Sequence, residues 1–257
     1  MRARLRLALP ALCWAPAWAQ LPGEPAPLRV GFDASSLPTM YALEHGVAAG
    51  IYPAIVRRAF ALMGESVQLH AEPFKRLIAG LMAGQQGAGA VVRNPERLAV
   101  ADYSADYFTE HLHLYQLAGS NAASGIEGLR GLRVGVLRGW SYGEAFDKAR
   151  AAQWFLAEEV ETDAKNFAKL RRSRLDAVVA TEMAGRMLLA EPSLAGITVQ
   201  PRPLISIGIA LAVPKRLQAS ALLQRFDDSI ARMRREHQID SLVTQELAQA
   251  RQMLKLE

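Results

Sequence analysis

Residues Val67–Val92, VQLHAEPFKRLIAGLMAGQQGAGAVV, contain one complete strand–helix–strand unit. Val67–Ala71 and Ala88–Val92 are short apolar runs of the kind that form buried strands. The segment between them, Glu72–Ala83, has apolar residues at helical spacing, and Pro73 falls in its first turn. A helix that connects two such strands is typical of a parallel sheet with helices packed against it.

The same alternation of strand and helix extends on both sides of this unit. The strand Leu28–Phe32 and the helix Gly50–Met63 precede it. A second series begins after residues 118–128, a stretch rich in Gly, Ser and Asn. Its predicted strands are Leu132–Leu137, Leu156–Val160, Leu175–Ala180 and Ile197–Gln200. Its predicted helices are Tyr142–Ala152, Asp163–Arg172 and Glu182–Leu189. The pattern predicts an α/β fold of two lobes, each a small doubly wound sheet flanked by helices.

Two apolar segments connect the two series. His111–Leu117 leads into the second series and the strand Ile205–Val213 leads out of it, before two helical stretches at Lys215–Arg235 and Gln238–Leu254. Two strands that cross between lobes predict a two-strand hinge, and a cleft between lobes is a common site for small molecules. We expect lobe 1 to be discontinuous, with residues 28–115 and 207–257, and lobe 2 to comprise residues 116–206.

The first 19 residues, MRARLRLALPALCWAPAWA, have the three parts of a secretory signal: early arginines, an apolar run and a small-residue cleavage site. We expect cleavage after Ala19. Lipid anchoring at Cys13 is the lesser alternative, because Leu12 precedes the cysteine where a lipoprotein signal has a small residue. No later run approaches the roughly 20 apolar residues that a transmembrane helix needs.

Composition excludes several classes of function. Cys13 is the only cysteine, so the mature chain would have no disulfide, no thiol nucleophile and no cysteine-ligated metal. The net charge of +5 includes three arginines of the expected signal and falls to +2 without them. So small a charge does not indicate a nucleic acid or an anionic membrane as partner.

Seven segments, taken in order, carry a resemblance to a known family. They are LRVGFDASSLPTMY (28–41), GIYPAIVRRAFALMG (50–64), PFKRLIAGLMAGQ (73–85), NPERLAVADYSADYF (94–108), LRGLRVGVLRGWSYG (129–143), RLDAVVATE (174–182) and IGIALAVPKR (207–216). Together they resemble the bacterial family 3 extracellular solute-binding proteins, the periplasmic amino-acid-binding components of ABC importers. The resemblance implies the type II periplasmic binding protein fold and a monomer in the periplasm. It also implies that the protein captures a small polar or anionic solute, an amino acid or related carboxylate, and delivers it to an ABC permease.

Arg97 is the first candidate for a ligand contact. It matches the arginine that clamps the ligand carboxylate in the family, and a guanidinium offers a rigid fork of donors to a carboxylate. The alternative is a surface arginine paired with Glu96 or Asp102. Asn94 stands where the family has a threonine, and Arg93 either points into the cleft or has a structural role.

The loop Gly139–Gly143 is the candidate in the second lobe. It follows a strand and opens a predicted helix, and it resembles the family's loop that binds the anionic end of the ligand through backbone N–H groups. Trp140, Ser141 and Tyr142 are therefore predicted ligand contacts. The alternative is that Ser141 only caps the helix.

Other candidates come from the family's remaining contacts. The family's aspartate for the ligand ammonium corresponds to Thr181, with Glu182 next to it. Either Glu182 takes that role or the ligand has no such ammonium group. Asp33 follows the first strand on the cleft side, and Tyr41 and Phe74 stand where the family places aromatic walls.

Two other functions remain open at this point. An enzyme on the same fold, similar to the cyclohexadienyl dehydratases, would need a general acid, for which Glu182, Asp33 and Glu44 are the candidates. A solute sensor or accessory protein is the other alternative. We predict no catalytic residue and no cofactor. His111 and His113 share a strand face without an evident third ligand, so we also predict no metal site.

Overall fold

The structure is a computed structural model that describes residues 27–120 and 124–254. For residue 254 it describes the backbone only. The expected signal segment and Cys13 lie outside these residues. Within them the strands are β1 (Leu28–Asp33), β2 (Ser35–Ser36), β3 (Met40–Ala42), β4 (Ala48–Ala49), β5 (Val67–Glu72), β6 (Gly87–Val91), β7 (Ala101–Tyr103), β8 (Phe108–Leu117), β9 (Arg133–Leu137), β10 (Leu156–Val160), β11 (Ala177–Thr181), β12 (Ile197–Val199) and β13 (Ile205–Pro214).

The α-helices alternate with these strands. They are α1 (Ile51–Met63), α2 (Phe74–Met82), α3 (Pro95–Val100), α4 (Glu144–Ala151), α5 (Asp163–Arg171), α6 (Glu182–Leu188), α7 (Ser220–Arg235) and α8 (Gln238–Leu254). Short 3-10 helices occur at Glu44–Gly46, Glu127–Leu129, Pro192–Leu194 and Lys215–Leu217. No helix in the described residues is long and apolar enough to span a membrane.

Ten of the described strands form one mixed sheet. Eight of them follow the order β10-β9-β11-β8-β13-β6-β1-β5, while β12 pairs with β8 and β7 pairs with β13. In the first lobe β1 pairs in parallel with β5 and β6, and in the second lobe β9 pairs in parallel with β10 and β11. A separate three-stranded sheet, β2-β3-β4, lies beside the first lobe. This two-lobed α/β architecture confirms the predicted fold class.

The strands β8 and β13 connect the two parallel regions. They pair antiparallel with one another, with Glu110 opposite Ile207 and Phe108 opposite Ile209. β8 also pairs with β11 of the second lobe, and β13 with β6 of the first. The predicted crossing strands are thus adjacent. The residue limits of the two lobes stay a prediction.

Each lobe has its own hydrophobic core. The largest cluster packs α1, α7 and α8 against β1 and β13, and a second cluster fills the space between β9, β11 and α4. Trp140 packs against both of these clusters and also against the cluster beneath α2. The indole therefore joins the cores of the two lobes.

The start of the helix predicted at Glu72–Ala83 is wrong. Glu72 belongs to β5, where it pairs with Asp33, and α2 begins only at Phe74. Pro73 explains the difference, because the ring of a proline disfavours helical geometry in the residue before it.

Two other predicted helices also differ from the structure. The helix expected from Tyr142 begins at Glu144, because Gly143 at φ 95° has an extended, left-handed backbone that does not continue a helix. The stretch Lys215–Arg235 is broken at Gln218, which has φ 48°. The sequence pattern also missed α3, which carries Arg97.

Candidate functional site

A small cavity lies where the two lobes and the crossing strands meet. Its lining comes from Met40, Tyr52, Phe74, Ala90, Val91, Val92 and Arg97 of the first lobe, from Trp140 and Ser141 of the second, and from Glu110, Ile207 and Ile209 of the crossing strands. The cavity measures about 20 Å³, which is room for about one water molecule.

The cavity lies beyond the carboxyl ends of the strands, where open parallel sheets bind ligands. The chain beyond β6 brings Val92 and Arg97 to this edge, and the chain beyond β9 brings Trp140 and Ser141. Strands from two lobes therefore deliver side chains to one place.

Arg97 is held in the cavity wall by the first turn of α3. The side chain of Asn94 caps this helix by accepting a hydrogen bond from the Arg97 N–H at 2.9 Å. The guanidinium donates from Nη1 to the Val92 carbonyl at 3.1 Å and lies 5.5 Å from the centre of the Phe74 ring.

The Arg97 side chain is buried, with 5% exposure, and burial lowers its pKa. No carboxylate of the described residues lies within ion-pair distance of it, so the alternative pairing with Glu96 or Asp102 does not form. A buried guanidinium without an anionic partner is costly, and an incoming anion would offset that cost.

Arg93 has partners within the first lobe. Its guanidinium forms an ion pair with Asp106 and donates to the Ser104 carbonyl, and it lies 5.3 Å from the centre of the Tyr103 ring. Arg93 and Asn94 do not line the cavity. Their contact with a ligand stays a prediction.

Asp33 and Trp140 connect the two lobes through a hydrogen bond. The indole Nε1 donates to Asp33 Oδ2 at 2.8 Å, and the hydroxyl of Ser35 donates to Oδ1 at 3.0 Å. Asp33 is 2% exposed, and burial raises the pKa of its carboxyl. The ring of Trp140 lies 5.9 Å from that of Phe74, so the same residue also forms an apolar contact across the cleft.

Two donors of the loop Gly139–Gly143 are already engaged by Asp147. The hydroxyl of Ser141 donates to the carboxylate of Asp147, and the Tyr142 N–H donates to Asp147 Oδ1 at 3.1 Å. The alternative that Ser141 caps the helix is wrong, because α4 begins after Gly143. An internal carboxylate, which the sequence did not indicate, thus occupies two donors expected for the ligand.

Two predicted aromatic contacts lie away from the cavity. Tyr142 is fully buried, and its hydroxyl accepts a hydrogen bond from the Leu137 N–H at 2.7 Å. Tyr41 is buried on β3, while its neighbour Met40 lines the cavity. Adjacent residues of a strand face opposite sides, which explains why Met40 lines the cavity and Tyr41 does not.

Thr181 and Glu182 also have local partners. The Thr181 hydroxyl caps α6 by accepting a hydrogen bond from the Ala184 N–H at 3.2 Å. Glu182 forms an ion pair with Arg186 at 2.6 Å, one helical turn away. Neither lines the cavity. Their roles in ligand binding stay predictions.

Glu110 is the charged cavity residue that the sequence did not lead us to predict. It lies on β8 with 3% exposure and accepts a hydrogen bond from the hydroxyl of Tyr52, which also lines the cavity. Burial, together with the nearby carboxylates of Glu182 and Asp163, raises the pKa of its carboxyl to about 8. The signal was present, because Glu110 is the one acid in the apolar crossing strand FTEHLHLYQL.

The two histidines of β8 bind protein groups. Nδ1 of His111 is 2.8 Å from the Ser206 hydroxyl, and Nδ1 of His113 is 3.0 Å from the Gln200 carbonyl. Across the described parts of the chain, no cluster of three or more His, Cys, Asp or Glu side chains could hold a metal ion.

Known structures share this fold. A histidine kinase sensor domain with similarity to periplasmic binding proteins is 20% identical with a TM-score of 0.73, and the match covers 86% of this chain and 96% of the sensor domain. An ancestral arginine-binding protein bound to arginine is 22% identical with a TM-score of 0.71, covering 85% and 96%. An amino acid ABC transporter substrate-binding protein from Streptococcus pneumoniae, bound to L-arginine, is 18% identical with a TM-score of 0.71, covering 87% and 95%.

No curated protein sequence matches the chain significantly. The family model of the bacterial extracellular solute-binding proteins, family 3, matches residues 28–248, which is most of the chain. The order of strands, the two lobes and the position of the cavity agree with this match. The chain therefore belongs to the family 3 bacterial extracellular solute-binding proteins.

Proposed function

We propose that the protein captures an amino acid or a related small carboxylate between its two lobes and delivers it to an ABC importer. The observation that carries this proposal is the buried guanidinium of Arg97, which lines the cavity between the lobes and has no carboxylate partner in the described residues. A ligand carboxylate would supply two parallel charge-assisted hydrogen bonds to it.

Neighbouring side chains support this assignment. Phe74 holds the guanidinium from one side, and Trp140 and Ser141 approach the cavity from the second lobe. Two of the similar solved structures contain arginine, which supports amino acids as the ligand class.

Ligand entry requires the lobes to move apart. A cavity of about 20 Å³ is far too small for an amino acid, and its walls come from both lobes. We infer that β8 and β13 act as a hinge and that the ligand favours the closed state because it contacts both lobes at once. Binding and release need no chemical step, so we propose that the protein is not an enzyme.

The family assignment supports the remaining parts of the proposal. We propose a periplasmic monomer, cut after Ala19, whose partner is an ABC permease in the inner membrane. Uptake assays test the transport step. Cells that lack the protein should lose high-affinity uptake of the identified ligand and regain it with the wild-type gene.

A thermal-shift screen over amino acids, polyamines and small organic acids tests the binding step. A ligand at 100 times its Kd should stabilise the folded protein by about 2.7 kcal/mol. Arg97→Ala should abolish the shift with the best ligand. Arg76→Ala is the matched control, since Arg76 has a 76% exposed side chain on α2 and does not line the cavity. An unchanged shift in Arg97→Ala would refute the site.

A solute sensor is the second candidate, and the similarity to a kinase sensor domain favours it. This role predicts the same ligand binding but a different result in cells. Deletion would leave uptake of the ligand unchanged and abolish a transcriptional response to it.

A further inference from the structure

The cavity contains two buried groups of opposite charge type, and neither has a counter-ion. Arg97 is the only Lys, Arg or His of its lining and Glu110 is the only Asp or Glu, with 5% and 3% exposure. In the described residues no acid pairs with Arg97 and no Lys, Arg or His pairs with Glu110, nor do the two pair with each other. The charges of the cavity wall are therefore complementary to a ligand that carries both an anionic and a cationic group.

Apart from Tyr52 and Ser141, which carry hydroxyl groups, the rest of the wall is apolar. Met40 and Phe74 contribute from the first lobe, Trp140 from the second, and Ile207 and Ile209 from the crossing strand. A charged ligand side chain would lose its water here without gaining a partner, whereas a hydrocarbon or aromatic side chain would gain by burial.

Asp163, which is buried without a hydrogen-bond partner, does not line the cavity. The remaining acids near the cleft are already occupied. Asp33 accepts from Trp140 and Ser35, Asp147 accepts from Ser141 and the Tyr142 N–H, and Glu182 pairs with Arg186. Glu110 has one side-chain donor, the hydroxyl of Tyr52. It is thus the acid that is both in the cavity wall and without a cation.

We propose that Glu110 binds the ammonium group of the ligand and that the preferred ligand is an α-amino acid with an apolar side chain. This proposal rests on the proposed function, because it assumes that Arg97 holds the ligand carboxylate. Glu110 would then take the role expected at Thr181, whose hydroxyl caps α6. The ammonium would meet a carboxylate fixed on a crossing strand, opposite Ile207.

Protonation of Glu110 makes this contact dependent on pH. The groups that face it are Tyr52 from α1, Glu182 from α6 and Asp163 from α5, with the backbone of His111 on its own strand. Since its pKa is raised to about 8, the empty site holds the neutral acid at pH 6 to 7. An ammonium favours the carboxylate, so binding releases a proton and the affinity should rise from pH 6 to pH 8.

Calorimetry with two matched probes tests the proposal. L-Leucine and 4-methylpentanoate share the carboxylate and the side chain and differ only in the ammonium group. Wild-type protein should bind L-leucine about tenfold to hundredfold more tightly than 4-methylpentanoate, the range expected for a buried charge-assisted hydrogen bond. It should also bind L-leucine more tightly than L-arginine or L-glutamate.

The variant Glu110→Gln keeps the shape of the side chain and removes its charge. It should lose most of the preference for L-leucine and the rise in affinity with pH, while 4-methylpentanoate binds as before. Glu144→Gln is the matched control and should behave as the wild type, since the Glu144 side chain is 78% exposed on α4 and does not line the cavity. Circular dichroism and the melting temperature check the fold of each variant.

The outcomes separate this inference from the proposed function. If Glu110→Gln keeps the preference, the role of Glu110 is refuted while the carboxylate site at Arg97 stands. If L-arginine or L-glutamate binds best, the preference for an apolar side chain is refuted, and the carboxylate site again stands. If the wild type binds none of the four probes and none of the wider screen, both proposals fail. Should Glu110→Gln not fold, a wild-type affinity for L-leucine that does not change between pH 6 and 8 would still refute the assignment.

Discussion

Removing the indole N–H of Trp140 should open the cleft. In Trp140→Phe the aromatic contact with Phe74 remains, but Asp33 loses the hydrogen bond that crosses between the lobes at 2.8 Å. Asp33 is 2% exposed and would keep the hydroxyl of Ser35 as its side-chain donor. The lost bond joins a neutral donor to a buried carboxyl group whose raised pKa reflects its burial.

The size of the effect follows from that bond. Losing a hydrogen bond to a charged group costs about 1.5–3 kcal/mol. If the lobes move as units, this cost falls on the closed state and shifts the balance between closed and open forms by about tenfold to hundredfold. Ligand affinity should fall by a similar factor, because the ligand holds the closed form.

Single-molecule energy transfer between the lobes measures this balance. Dyes can be attached through Arg76→Cys on α2 and Lys148→Cys on α4, whose native side chains are 76% and 74% exposed. Trp154→Phe is the matched control, since Trp154 stacks on Arg130 within the second lobe, with the guanidinium 3.5 Å from the ring centre. A closed fraction that is the same in both variants would refute the reasoning.

Three further predictions concern stability. The pKa of Glu110 is raised from 4.5 to about 8, so the stability that its neutral form contributes is complete below pH 4.5 and is lost as the pH rises to 8. Urea unfolding of the wild type should show a loss of at most about 5 kcal/mol over this range, and the loss should be smaller in Glu110→Gln. Gly89→Ala would place a Cβ 2.0 Å from the Phe32 ring and should lower the free energy of unfolding by about 1–3 kcal/mol, as urea unfolding would measure. An unchanged midpoint would show that the core around Phe32 rearranges without cost. Asn94→Ala removes the cap of α3 and should cost about 1 kcal/mol and weaken ligand binding through Arg97, as calorimetry and melting would show.

The sequence predicted the fold because its apolar periodicity is strong. The unit from Val67 to Val92 alternates between buried strands and an amphipathic helix, and this local pattern does not depend on distant contacts. Element ends were less predictable. At Glu72 and Gly143 a proline or a left-handed backbone decided the boundary, and the helical periodicity continued through both points.

The site was predictable only in part. The position of Phe74 and Arg97 in the cavity wall follows from the chain order, because both come soon after strands that end at the same edge. Glu110 was missed because its burial depends on the pairing of β8 with β13, which lies far along the chain. Asp147 was missed because its side chain reaches back to donors in the loop before its own helix.

The neighbours of β13 have a consequence for the order of folding. Strand β6 pairs with β13, so Ala88 and its partner Ala212 are separated in the chain by all of β8 to β12. Strand β9, in contrast, pairs with β10 and β11, which both follow it closely in the chain. Because long-range pairing is slow, we expect the second lobe to become ordered first during refolding and the first lobe to be completed last.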